Sequence, residues 1–412
     1  MNADLYFFSS KRLTKWKEEY LNHIYNENLK FINQISLGSP TKIKLEQMLK
    51  LYHSKQAIAC LEFVSIQLSE YQYFSDMEDY LSSSSSNENE VIDTILYNLE
   101  SDFSEESTYS LQFMQYAKSR NLKWKSFPSE MAKKSLSQAL KIQANLLPNK
   151  DAKLYKKYKH RLKPPSHTGK ILDDAKFTKI KRTEESKFLQ LIHAKNKLSE
   201  LWPEGFEVFT ILTDRIHLVR SNNLVSYSHF TEQGITYMNL WGRDFLDTMD
   251  DLIHENSHHH LNVILKKFKI LKTKSSDEIY FSPWRHELRS LYAILHSVFT
   301  FSCAALLFEV LMEREKDEIA KTLKKFRDKI RFRFMEESYN LSYSLQDLQG
   351  AVLKNAFTNK GKTLIQELQY INTRHLKKID SLKPLLKIAF LGKINEHQSS
   401  LAKKRKEFNL SF

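Results

Sequence analysis

The chain has 412 residues, of which 41% are hydrophobic, and a formal net charge of +14. This length and apolar content suffice for a large core in two or three lobes, so a disordered chain is excluded. The only two cysteines, Cys60 and Cys303, lie far apart in the sequence, which excludes a disulfide framework and makes a reducing cytoplasm the expected location.

The positive charge predicts anionic partners. No helix-turn-helix, zinc-finger or RNA-binding signature accompanies it, and only 8 glycines are present, which disfavours nucleic acid and glycine-rich phosphate loops. An acidic peptide substrate explains the charge equally well, as does a coding bias towards lysine. The first 16 residues lack the order of charge, apolar run and cleavage site that marks a signal peptide.

The first 203 residues are predicted to form a helical region. Apolar residues recur at helical steps of three and four, namely at Leu45, Met48, Leu49, Tyr52, Ile58, Leu61, Val64 and Leu68. A polar low-complexity loop is predicted at 82–90 and further helix at 96–127. Residues 153–163 form a basic segment, either a solvated helix face or a site for an acidic leader peptide or nucleic acid. A helix is predicted over 183–202, ended by Pro203 and Gly205.

The composition changes after Gly205. Segments 206–219 and 235–240 are rich in β-branched and aromatic residues and partly alternate, so they are predicted to be strands. A helix follows, with Asp244 as its cap. Its apolar residues recur at helical spacing and are Phe245, Leu246, Met249, Leu252, Ile253, Leu261, Ile264, Leu265 and Phe268.

This helix contains the motif His254-Glu255-Asn256-Ser257-His258. Histidines four residues apart on a helix stand one turn above each other, about 6 Å between Cβ atoms, so that both imidazoles can reach one ion. The motif therefore predicts a metal site. The alternative is a pair of partly buried histidines that bond to backbone carbonyls.

A second motif, Ser282-Pro283-Trp284-Arg285, is followed by Arg289 and then by His296 in the apolar run 291–312. On a continuous helix, Arg289 and His296 would share a face about 10 Å apart along the axis. An arginine there would hold the far end of a small dicarboxylate whose near end chelates a metal at His296. Trp284 would either wall that pocket or serve only for packing.

The two motifs, with the Leu295-His296 pair entering an apolar helix, resemble the α-ketoglutarate-dependent HExxH-type peptide β-hydroxylases, which accompany ribosomally made, modified peptides. The resemblance covers roughly residues 234–301. After SPWR that family usually continues with acidic residues and an Arg-Pro pair, whereas His286, Glu287 and Arg289-Ser290 stand here.

The resemblance implies specific roles. Fe(II) would be held by His254, His258 and His296, with Glu255 as an alternative ligand. Glu255 would otherwise orient a ligand or act as a base near bound water. Either Arg285 or Arg289 would bind the distal carboxylate of α-ketoglutarate. The implied reaction converts the keto acid to succinate and hydroxylates a β-carbon of a peptide residue.

Two other functions stay open on the sequence alone. In a zinc peptidase, His254 and His258 would hold Zn(II), Glu255 would activate water, and Glu287 or Glu309 would supply a third ligand. In a non-catalytic relative, the basic lobes would bind peptide or nucleic acid, and no transition metal would be bound.

The remaining chain is predicted to be helical, with mixed charges at 313–333 and amphipathic stretches at 345–357 and 364–379. Pro384 and Gly392 are expected to break the pattern before a basic tail, KKRKEF. Ionisable residues interrupt the apolar run 291–312, which favours a buried core helix over a membrane span. We expect a predominantly helical α+β protein with a small sheet beside a central metal-binding helix pair (204–312), flanked by helical regions 1–203 and 313–412.

Overall fold

The computed structural model describes residues 5–34, 39–54, 58, 61, 182–218, 225–228, 233–272, 277–408 and 410. The predicted loop at 82–90, the predicted helix at 96–127, the basic segment at 153–163 and Cys60 lie outside the described residues. The part that is described is predominantly helical with two small sheets, which confirms the predicted α+β class.

The helices and strands are numbered here in chain order. The helices are α1 (Ser10–Gln34), α2 (Ser39–Ser54), α3 (Arg182–Leu201), α4 (Pro203–Leu212), α5 (Phe245–Lys267), α6 (Leu291–Glu313), α7 (Arg327–Leu353), α8 (Asn359–Leu382) and α9 (Ile388–Glu407). The strands are β1 (Arg215–Leu218), β2 (Tyr227–Ser228), β3 (Ile235–Met238), β4 (Tyr280–Ser282) and β5 (Glu287–Arg289). Two 3-10 segments, Glu318–Phe326 and Lys383–Leu385, precede α7 and follow α8.

The described residues fall into two compact units. The first lies within Met1–Trp16, Lys197–Phe209 and Leu246–Phe412, and the second within Lys17–Asn196 and Thr210–Phe245. Each unit draws on separate parts of the chain. The division into three consecutive segments stays a prediction.

The second unit contains a three-stranded sheet in the order β1-β3-β2. Strand β1 pairs parallel with β3, and β2 pairs antiparallel with β3. Tyr227 and Tyr237 face each other across β2 and β3 and stack with their ring centroids 4.7 Å apart. The predicted strand at 235–240 is therefore confirmed over Ile235–Met238.

The predicted strand at 206–219 is wrong in its first part, because residues Pro203–Leu212 form helix α4. Pro203 opens this helix, where its missing N–H leaves no helical hydrogen bond unmade. Phe206, Phe209 and Leu212 are all buried, a spacing of three that suits a helix face. A Cβ at Gly205 would overlap the Trp202 indole, so glycine is needed there for close packing and does not end the helix.

The core of the first unit is built around α6, which packs along α7 while α8 contacts both. Helix α6 is long and apolar enough to cross a membrane, but 78% of its most apolar window is buried within the protein. Such burial is expected of the core helix of a soluble protein, as predicted for 291–312.

The C-terminal helices differ from expectation in two places. Pro384 lies in the 3-10 segment between α8 and α9, as predicted, but Gly392 lies inside α9 and breaks nothing. The predicted basic tail, KKRKEF, is helical, because residues 403–407 belong to α9. Arg405 is buried there and pairs with Asp347 of α7. A buried carboxylate partner explains why this basic residue packs inside rather than projecting into solvent.

Helix α8 is tied to α6 by a buried carboxylate, Glu309. His375 lies 3.2 Å and the Lys378 ammonium 2.5 Å from its oxygens, and Arg374 also pairs with it. Burial alone would raise the pKa of Glu309, but the hydrogen bonds and charges of His375, Lys378 and Arg374 outweigh it and lower the pKa to about 2.

We expect Glu309→Gln to lower the free energy of unfolding at pH 7 by about 3 kcal/mol, because it removes the buried charge that pairs with Arg374 and Lys378. The folded-state pKa lies below the unfolded value, so this contribution is present above about pH 4.5 and is lost as the pH falls towards 2. Urea unfolding at several pH values measures the difference from wild type.

The control is Glu313→Gln, one turn along α6. Glu313 pairs with Lys378 but is 59% exposed, so its replacement should cost less than about 1 kcal/mol. If the free energies of unfolding of Glu309→Gln and wild type differ by the same amount at pH 7 and at pH 2.5, the proposed role of the Glu309 charge is wrong.

Candidate metal centre

Helix α5 carries the HENSH motif, as predicted. It begins at Phe245, so Asp244 stands at the cap position, and Lys266 and Lys267 occupy its last turn, where cations favour the helix dipole. Leu252 and Leu261 are buried on either side of the motif. The motif is thus held on a firmly packed helix.

His254, Glu255 and His258 form a compact donor group. The two histidine rings lie 5.1 Å apart between centroids, and Glu255 is buried. One nitrogen or oxygen from each residue lies within 4.8 Å of the others. Donor atoms about 2.1 Å from one ion are separated by roughly 3 to 4 Å, so this group is close to the spacing that a metal requires.

His296 of α6 lies beside this group. Its ring is 5.8 Å from that of His258, with an interplanar angle of 23°. Two imidazoles that share an ion have centroids at most about 6.5 Å apart, given bonds of about 2.1 Å. The separation of His258 and His296 fits that limit. His296 is adjacent to His258 but is not one of the three donors within 4.8 Å of one another, so its ligation stays a prediction.

Two aromatic residues of α6 flank the histidines. Tyr292 contacts His296 at 4.4 Å between centroids, and Phe301 contacts His254 at 4.6 Å. Neither residue was predicted from the sequence as part of the site. Tyr292 precedes His296 by four residues, so helical spacing would have found it. Phe301 could not be found that way, because its role depends on how α6 faces α5.

The SPWR motif forms the turn of the β4–β5 hairpin. The Ser282 carbonyl accepts hydrogen bonds from the backbone N–H of Arg285 at 3.3 Å and of His286 at 2.8 Å. The hairpin is anchored on α7 because Asp347 accepts from the Phe281 N–H at 2.8 Å. Trp284 stacks on Phe301 at 4.3 Å with an interplanar angle of 8°. The motif therefore packs against Phe301, which contacts His254 of the donor group.

The two arginines have different environments. Arg285 is exposed in the turn, whereas the Arg289 side chain is 14% exposed and donates to Glu287 at 2.7 Å. The expected helical face shared by Arg289 and His296 is wrong. Arg289 belongs to β5, and Ser290 caps α6 by accepting from the Ala293 N–H at 3.3 Å. The expected separation of about 10 Å along a helix axis therefore does not apply to Arg289 and His296.

The two candidate third ligands of a zinc peptidase are both engaged in other contacts. Glu287 is half-exposed and pairs with Arg289. Glu309 was a wrong candidate, because its carboxylate is bonded to the cations of α8. Among the other histidines, His260 is buried and its Nε2–H donates to the Phe7 carbonyl at 2.8 Å.

No protein-family model matches the chain, and no curated protein matches it significantly. The function is therefore inferred from this geometry and from the motifs in the sequence.

His258 has histidine neighbours on both sides, His254 and His296. We expect His258→Ala to weaken binding of Co²⁺ by at least about 100-fold. Removing even a group that only hydrogen-bonds to a metal ligand typically lowers metal affinity by about 10- to 100-fold. Isothermal titration with Co²⁺ measures the affinity, and exposed His23→Ala is the control. Wild-type affinity in His258→Ala would rule out this centre.

His286 has a φ of +55°, a conformation that favours glycine. We expect His286→Gly to keep or raise the melting temperature and His286→Val to lower the free energy of unfolding by about 1 to 2 kcal/mol, since a β-branched residue is strained there. Thermal unfolding of the two variants compares them. Equal stability would mean that the turn adopts another conformation in solution.

Proposed function

We propose that this protein is an Fe(II)/α-ketoglutarate-dependent oxygenase that β-hydroxylates residues of a ribosomally made peptide. The observation that supports this most directly is the approach of His296 to His258 across α6 and α5. Beside it, Trp284 of the SPWR motif rests on Phe301, which contacts His254. The SPWR hairpin has no role in a peptidase, whereas the proposed oxygenase uses it together with His296.

The donor set suits iron. Imidazole is a good ligand for Fe(II), and His254, His258 and His296 would hold it, with the Glu255 carboxylate as a further donor or as the group that orients a ligand. When bound, iron with α-ketoglutarate and O₂ supplies the oxidative chemistry that yields succinate and CO₂ and places one oxygen atom on the substrate.

Arg289 is better suited than Arg285 to bind the keto acid. Its side chain is mostly buried, and a two-point contact between a guanidinium and a carboxylate is strong in such surroundings. Its partner Glu287 is half-exposed, so the distal carboxylate of α-ketoglutarate could replace that contact while the Arg289 charge stays paired. Arg285 is exposed and would hold a ligand more weakly.

The aromatic residues would shield the reacting atoms from water. Trp284 and Phe301 lie on the His254 side, and Tyr292 lies on the His296 side and is 43% exposed. A peptide would therefore reach the histidines from the exposed side, at Tyr292. The net charge of +14 favours an acidic peptide, and a reducing cytoplasm suits Fe(II).

A zinc peptidase is the second candidate, and one observation favours it. A Glu255 carboxylate oxygen lies within 4.8 Å of donor nitrogens of His254 and His258, where it would serve as the general base that activates water. Of the two acids considered as third ligand, only Glu287 remains. A non-catalytic relative, the third candidate, would bind no transition metal.

The test is incubation with Fe(II), α-ketoglutarate and candidate precursor peptides. We expect succinate formation and a peptide that gains one oxygen atom. His296→Ala and Arg289→Ala should each lower succinate formation by at least about 100-fold, because without either side chain the keto acid would no longer be held in its reactive position. Arg285→Ala is the matched control and should retain most of the activity.

Other outcomes would identify the alternatives. Zinc-dependent peptide cleavage that disappears in Glu255→Gln would establish the peptidase and overturn our proposal. Absence of bound iron, zinc or cobalt after reconstitution would support the non-catalytic protein.

A further inference from the structure

A chain of side-chain contacts connects α7 to His254. Trp284 donates its indole N–H to the Glu337 carboxylate at 2.7 Å. The same indole stacks on Phe301, and Phe301 in turn contacts the His254 ring. Glu337 therefore reaches a candidate metal ligand through two aromatic side chains without touching it.

A second set of contacts returns from α7 to α5. Arg333 lies one turn before Glu337 and pairs with its other carboxylate oxygen at 2.9 Å. Arg333 also donates to Asp250 of α5 at 2.9 Å. Asp250 precedes His254 by four residues, which is one helical turn. The contacts thus form a closed circuit that passes through α5, α6, the hairpin and α7.

The charges of this circuit are costly to bury. The Glu337 side chain is 1% exposed, and three carboxylates, those of Asp250, Glu336 and Glu337, share the single guanidinium of Arg333. Burial raises the pKa of Glu337 to about 7, although Arg333 opposes that shift. Well-packed apolar residues often stabilise a fold at least as well as buried ion pairs, so stability alone does not explain Glu337.

We propose that Glu337 is a positioning residue for the metal centre: it fixes the Trp284 indole against Phe301 and thereby holds the His254 imidazole in the orientation that ligation requires. Arg333 completes this support by tying Glu337 to the turn of α5 that precedes His254. The inference rests on the proposed metal-dependent function, because it assigns His254 as a ligand. Groups that orient a ligating histidine commonly contribute to metal affinity in this way.

The test compares two methionine variants by titration of the full-length protein with Co²⁺ alone. Glu337→Met removes the acceptor of the Trp284 N–H and leaves Arg333 paired with Asp250 and Glu336. Glu336→Met is the matched control, since it also removes one partner of Arg333 but spares the indole. We expect the dissociation constant to rise about 10- to 100-fold for Glu337→Met and less than about 3-fold for Glu336→Met.

Trp284→Phe tests the route of the effect, because it keeps an aromatic ring over Phe301 and removes the N–H that Glu337 accepts. If Glu337 acts through Trp284, the double variant Glu337→Met, Trp284→Phe should lose no more affinity than the weaker-binding single variant. Near-ultraviolet circular dichroism at 25 °C checks that each variant remains folded.

Wild-type affinity in folded Glu337→Met, or losses that multiply in the double variant, would overturn the inference while leaving the metal centre intact. If Glu337→Met does not fold, Trp284→Phe decides alone, and wild-type affinity there overturns the inference. Failure of the wild-type protein to bind Co²⁺ would instead overturn the metal centre, and this inference with it.

Discussion

The structure of the candidate site depends on how α5 and α6 meet. Three ring pairs join the two helices, namely His258 with His296, His254 with Phe301 and His260 with Phe299. Two histidines on α5 alone would leave an ion with few protein ligands. The approach of α6 adds a third imidazole beside them and supplies the aromatic surface on which the SPWR hairpin rests. The proposed chemistry follows from this contact, because the three histidines and the aromatic residues Phe301 and Tyr292 come from the same pair of helices.

Buried charges hold this pair of helices in place. Glu309 joins α6 to α8, and Glu337 with Arg333 joins α7 to both α5 and the hairpin. Such groups are costly to bury and stabilise the fold only while their partners are in position. Movement of these helices relative to one another would break the ion pairs, so the helices are held in a fixed arrangement. Such an arrangement suits a metal centre whose ligands must be oriented before an ion binds.

Local patterns in the sequence predicted helix α5, strand β3 and the buried character of α6, because each depends on the periodicity of a single segment. Composition was misleading for α4, where β-branched residues coincide with a helical spacing of Phe206, Phe209 and Leu212. The helical alignment of Arg289 with His296 failed because Ser290 caps α6 and leaves Arg289 on a strand. Glu337, which lies 53 residues from Trp284, could not be found at all, since only the packing of α7 on the hairpin brings them together.

In the proposed function, one ion is bound by imidazoles from both helices. X-ray absorption spectroscopy at the iron edge of the reconstituted protein tests it directly, because scattering from imidazole rings gives the number of histidine ligands. We expect about three imidazoles in the wild-type protein and one fewer in His296→Ala. A spectrum with two imidazoles that does not change in His296→Ala would show that α6 contributes no ligand and would contradict the account.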